Sequence, residues 1–214
     1  MKTVYADSVK QLILDSPYLF TSKDDNTTVL FEKEIDGLSS KPTIADCLIF
    51  SHLRGLIGVE IKTAHDSKAR LVRQLTGYSK VCDQVYVFIH DSKFTEVEDI
   101  LEDFPHVGCI CYTEIGDMLS PGIVRKALEN PLKDSKVELD MLWSVELWDM
   151  CKLAASIKHK KVVKYKVSNK RKRIKFILDN MGIKEGSELF IDFVIEGLLS
   201  PDRSFSCYNF RWKS

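Results

Sequence analysis

Two apolar runs each carry charge where a core is expected: Ala45-Asp46-Cys47-Leu48-Ile49-Phe50 and, with thirteen residues between the two carboxylates, Glu60-Ile61-Lys62. Side chains alternate across an extended chain, so Glu60 and Lys62 share one face while Ile61, with Val59, takes the other. If the Asp46 run pairs antiparallel beside it, Asp46 reaches the same face near Glu60, and two carboxylates and an ammonium converge. Burying them is costly unless they are paired or hold a metal. One reading is an ordinary exposed Glu60–Lys62 pair, which contributes little. The other gives each group a task. Two carboxylates and the Ile61 carbonyl suit a hard divalent cation, Mg²⁺ or Mn²⁺. Such a cation lowers the pKa of a bound water and stabilises charge developing on phosphorus, and a nearby lysine orients that water or neutralises that charge. This is equipment for cutting a phosphodiester.

The elements that must position these groups are legible as periodicities. Tyr5–Leu14 sets Val9, Leu12 and Ile13 on one helical face and ends in Asp15-Ser16-Pro17. Three strand-like runs follow, Val29–Asp36, Thr43–Phe50 and Leu56–Lys62, close enough for an antiparallel meander. Asp66–Val81 has helical spacing through Leu71, Leu75, Tyr78 and Val81. Gln84–Ile89 predicts a buried strand, Ser92–Phe104 an acidic helix, and Val107–Tyr112 a further strand. The order is α-β-β-β-α-β-α-β. Beyond Asn130-Pro131 the composition changes: Leu139 to Ala154 forms one apolar stripe, Ile174 to Met181 another after the cap candidates Ser168 and Asn169, and a third helix is expected from Ser187 to Leu199. The expected division is a core over residues 1–130 and a basic helical subdomain with a C-terminal tail over 131–214.

Asp46 followed by Glu60-Ile61-Lys62, with a helix directly after, resembles the core of the PD-(D/E)XK nuclease superfamily, whose restriction-endonuclease-like fold is α-β-β-β-α-β. Ala45 stands where the proline of that name would be, a common departure. The stretch Arg70-Leu71-Val72-Arg73-Gln74-Leu75-Thr76-Gly77-Tyr78-Ser79-Lys80-Val81 is similar to the RLxRQxxxYSKV segment of a small uncharacterised bacterial and phage family within that superfamily. Members also carry a helical end with a motif like Leu142-Trp143…Glu146-Leu147 and a later basic segment, so the resemblance covers most of residues 28–200. It implies an α/β fold with a helical C-terminal subdomain, and a Mg²⁺- or Mn²⁺-dependent nuclease. Asp46 and Glu60 would be metal ligands, Lys62 the catalytic lysine, and Gln74 a helical glutamine near the active site, with Tyr78 one turn later supporting it. Plain core packing is an equal reading of Tyr78. An upstream acid is common in that fold; Glu34 or Glu32 could supply it, Glu34 being preferred because alternation groups it with Glu32 and Asp36.

Net charge is zero, from 31 basic and 31 acidic residues, but it is a cancellation between poles. Residues 158–175 contain ten Lys or Arg and no acid, whereas Glu96–Asp103 is strongly acidic. The basic run is either a solvated face or a polyanion-binding surface. On the second reading Lys170, Arg171, Lys172 and Arg173 grip a nucleic-acid backbone, DNA above all, joined by Arg70 and Arg73, which could equally sit in solvent. The run is Lys-rich and lacks an evident set of base readers. The competing function is a non-catalytic protein that keeps the fold to bind a host or phage protein or nucleic acid; a homodimer or protein partner is compatible with either. The histidines have no ligand spacing, and the six cysteines form no CxxC pair and read as reduced packing residues. No apolar stretch reaches a membrane span and Met1–Gln11 is too charged for a signal peptide, so a cytoplasmic location is expected.

Overall fold

The structure is a computed structural model and describes residues 6–35, 42–116, 118–162, 164–197 and 210–212. Helix α1 (Ala6–Asp15) precedes strands β1 (Thr27–Ile35), β2 (Thr43–Ser51) and β3 (Gly55–Lys62), followed by α2 (Leu71–Val81), β4 (Gln84–His90), α3 (Phe94–Glu102), β5 (Gly108–Ile115) and β6 (Met118–Arg125). Four helices then follow, α4 (Ser135–Asp140), α5 (Ser144–Ile157), α6 (Lys170–Met181) and α7 (Ile183–Ile195), with a last strand β7 (Phe210–Trp212). The strands make one mixed sheet in the order β6-β5-β4-β3-β2-β1-β7. The β1–β2–β3 meander is antiparallel, β3–β4 and β4–β5 are parallel, and β5–β6 is an antiparallel hairpin. The protein is thus α/β, as expected, with α2 and α3 as the two crossovers. Among the described residues no helix is long and apolar enough to cross a membrane.

Each sheet face buries its own apolar cluster. Beneath α1 lie Val29, Phe31, Ile49, Ile57, Val59, Phe88 and Tyr112. The other face, with Leu30, Leu48, Phe50, Leu56 and Val87, packs on α2 and α3 and continues without a break into Leu139, Leu147, Met150, Phe190 and Phe193 of the C-terminal helices. Phe50 meets Phe190 edge-on at 5.6 Å. The compositional change near residue 130 therefore marks a change of element type within a shared core.

Several boundaries differ from expectation for identifiable reasons. Strand β6 falls where no element was expected; its Pro121 is tolerated because β6 lies at the sheet's edge. The helix expected from Asp66 starts as a 3₁₀ turn at Lys68 and becomes α-helical at Leu71, since Asp66 closes the preceding turn by accepting from Thr63 N and Oγ1 (2.8 and 2.7 Å). The stripe from Leu139 to Ala154 is two helices, α4 and α5. Asn169 caps α6 as expected, accepting from Lys172 N. Gly182, at φ 89°, ends α6, and α7 begins at once at Ile183, four residues before the expected start. Asp36 and Leu199 lie outside the described residues.

Candidate active site

The site forms where β2 and β3 part. Their ladder runs from Ser51 opposite Gly55 to Cys47 opposite Val59 and stops one residue short of Asp46 and Glu60. Three backbone groups there find other partners. Asp46 N donates to the Tyr78 hydroxyl (2.8 Å), that hydroxyl donates to Val59 O (3.1 Å), and Ile61 N donates to Asp46 Oδ2 (2.9 Å). The alternation along β3 is as expected: Val59 and Ile61 join the α1-side cluster, and Glu60 and Lys62 point the other way, both buried.

Lys62 Nζ lies 2.6 Å from Glu60 Oε1 and donates also to Gln74 Oε1 (3.1 Å). The pair is not the exposed one that the blander reading allowed: Glu60 is 0% and Lys62 5% exposed. Glu60 Oε2 is buried with no hydrogen-bond partner. Burial, then the nearby Asp46 charge, pushes the Glu60 carboxyl up to about 8 against the pull of Lys62. Burial also raises Asp46, against the Ile61 amide that holds its charged form. Two carboxylates that both resist ionisation, one with an orphaned oxygen, form a donor set that a divalent cation would satisfy. Asp46 and Glu60 are the residues that could hold it. Among the described residues no three His, Cys, Asp or Glu side chains are arranged to hold a metal, so the rest of a cation's shell would come from elsewhere.

A cavity of about 160 Å³ opens on this cluster, lined by Asp46, Glu60, Ile61, Lys62, Arg70 and Gln74, by the upstream candidate Glu32, and by Lys10 and Asp66, which the sequence did not point to. Glu32, and not the preferred Glu34, reaches it. At Glu32 φ is 54°, a left-handed backbone that costs a non-glycine residue about 1–2 kcal/mol, and the β1–β2 register skips the Glu32–Asp46 pair. The break resets the alternation, so that Leu30 and Ile35, an odd number apart, enter the same cluster. Lys10 pairs with Glu32 across the cavity mouth. Glu34 lines a neighbouring groove of about 630 Å³ with Ile44, Trp143 and Lys170, and Glu32 borders both spaces.

The remaining candidates separate by environment. Tyr78 is fully buried and meets the site through the Asp46 amide. Arg70 borders the cavity; Arg73 is exposed and is not part of its lining. In the basic run Lys170 pairs with Asp140 (3.2 Å), and Arg173 donates to Val167 O and to Ser144 while lying over the Trp148 ring (5.7 Å), so both tie the helices together. Arg171 and Lys172 are exposed. His52, His90 and His106 have polar partners in Asp192, Asp91 and Ser79, and the five cysteines among the described residues are free thiols.

A family model described as bacteriophage P4 protein cII matches residues 2–197, a span that takes in the meander, the cavity and all four C-terminal helices. The chain belongs to that family. No curated protein and no solved structure matches it. The chemistry open to this P4 cII family member is set by its own side chains.

Proposed function

We propose that this chain is a metal-dependent nuclease of the PD-(D/E)XK type, with the cutting site in the meander core and nucleic acid, DNA in the first instance, held against the C-terminal helices. The observation that carries this reading is the buried Asp46–Glu60–Lys62 cluster at the parting of β2 and β3, with Glu60 Oε2 lacking any donor. Asp46 and Glu60 would hold Mg²⁺ or Mn²⁺, and the bound cation would supply positive charge to the scissile phosphate. Lys62 presents an ammonium fixed by Glu60 and Gln74, so its charge is preorganised for the transition state and needs no reorganisation. Arg70 at the cavity rim is placed to meet an adjacent phosphate. The groove that shares Glu32 gives the strand a path past Trp143 and the first turn of α6, where Lys170, Arg171 and Lys172 lie.

Plasmid, single-stranded DNA and RNA, each incubated with Mg²⁺, Mn²⁺ or EDTA, test the proposal. Cleavage of at least one substrate that requires the cation and is lost in Asp46→Ala is expected. Absence of cleavage of all three would favour the alternative, a non-catalytic member of the fold. One feature fits a protein partner: the edge hairpin β5–β6 leaves Ile115, Met118 and Val124 57%, 70% and 53% exposed.

A further inference from the structure

We infer that Tyr78 is a positioning residue whose hydroxyl acts as a spacer, holding β2 and β3 apart so that Asp46 and Glu60 face one cation. This rests on the metal-site reading above. The hydroxyl bridges the two strands at the point where their ladder ends: it accepts from Asp46 N at 2.8 Å and donates to Val59 O at 3.1 Å. One backbone group of each strand is thereby satisfied beyond the last ladder pair. The ring reaches this point by crossing β3 at Gly58, where any Cβ would lie 2.3 Å from Tyr78 Cδ1. One residue earlier in α2, Gly77 lets the helix close on Thr43, whose Oγ1 would lie 2.5 Å from a Cβ there. Gln74, four residues before Tyr78, accepts from Lys62. A single face of α2 therefore holds the lysine with one side chain and the gap between the carboxylate strands with the other.

The test is Tyr78→Phe, which keeps the ring in its seat and removes only the spacer oxygen. Tyr112→Phe is the control, because Tyr112 is equally buried but its hydroxyl has no hydrogen-bond partner. Calorimetry with Mn²⁺ should show about 10- to 100-fold weaker binding in Tyr78→Phe, the usual loss when a residue supporting a ligand is removed, and unchanged binding in Tyr112→Phe. Amide hydrogen exchange without metal should be faster at Asp46 in Tyr78→Phe alone. Gly58→Ala, which displaces the ring and keeps the hydroxyl, should also weaken Mn²⁺ binding, and serves if Tyr78→Phe does not fold. Wild-type Mn²⁺ affinity together with unchanged Asp46 exchange in Tyr78→Phe would overturn the inference. If the wild-type protein binds no Mn²⁺, the metal reading fails, and the exchange comparison still decides whether Tyr78 is a spacer.

Discussion

Glu60 sits between two opposing influences, a lysine 2.6 Å away that favours its charge and complete burial beside Asp46 that opposes it. With burial prevailing, its proton is held more tightly folded than unfolded. The stability this contributes is complete below the ordinary carboxylate value of 4.5 and is lost as pH rises to about 8. Urea unfolding of the metal-free protein should show that decline between pH 5 and pH 9, and Glu60→Gln, which can still accept from Lys62, should flatten it. A decline of the same size in Glu60→Gln would place the titration elsewhere. A cation held by Glu60, as proposed, would have to displace the same proton, so Mn²⁺ affinity should rise across this window. On the proposed mechanism Lys62 would contribute charge to the transition state and not to the cation, so Lys62→Ala should lose cleavage by about two or more orders of magnitude while keeping Mn²⁺ binding. Full activity in that variant would remove Lys62 from the chemistry.

At the scale of elements, α6 illustrates how a basic run divides between fold and surface. Asn169 caps it, Arg173 ties it to α5, and Lys170 ties it to α4, leaving Arg171 and Lys172 outward with Lys161 and Lys166 on the preceding segment. Reversing these four exposed residues to Glu should weaken DNA binding by a similar factor for every sequence and flatten its salt dependence, because backbone contacts release counterions and carry no sequence information. An unchanged salt slope in the folded variant would make the run a solvated face. Asn169→Ala should cost about 1 kcal/mol of stability through the lost cap. The elements around Asp46, Glu60 and Lys62 were legible in the sequence because strand alternation and helical spacing are strong there. Glu32 was not. Its entry into the cavity depends on one left-handed residue that breaks the alternation, and periodicity cannot report a break at a single φ. Lys10 was equally hidden, since its approach depends on how α1 packs and not on its own spacing.

Across the whole molecule the core and the C-terminal helices are joined by charge as well as by apolar packing. Lys133 Nζ lies 2.7 Å from Asp83 Oδ2 of the core, 2.8 Å from Glu138 Oε1 of α4 and 2.8 Å from Ser187 Oγ of α7. Burial, opposed by Lys133, raises the Glu138 carboxyl to about 7. Lys133→Met would strand that carboxylate and should cost about 3–5 kcal/mol at pH 8, less below pH 7 as Glu138 takes up a proton. Denaturant unfolding at both pH values checks this, and a loss independent of pH would show that Glu138 is not the group left exposed to the cost. This network was not legible in the sequence, because Asp83, Lys133, Glu138 and Ser187 are brought together only by the tertiary fold.

Titration of the wild-type protein with Mn²⁺ by calorimetry at pH 8, set against Asp46→Ala and Glu60→Ala, tests the proposed metal centre most directly. Saturable binding in the wild type that each substitution abolishes, with both variants folded, is the expected result. Binding that survives both substitutions, or no binding in the wild type, would contradict it.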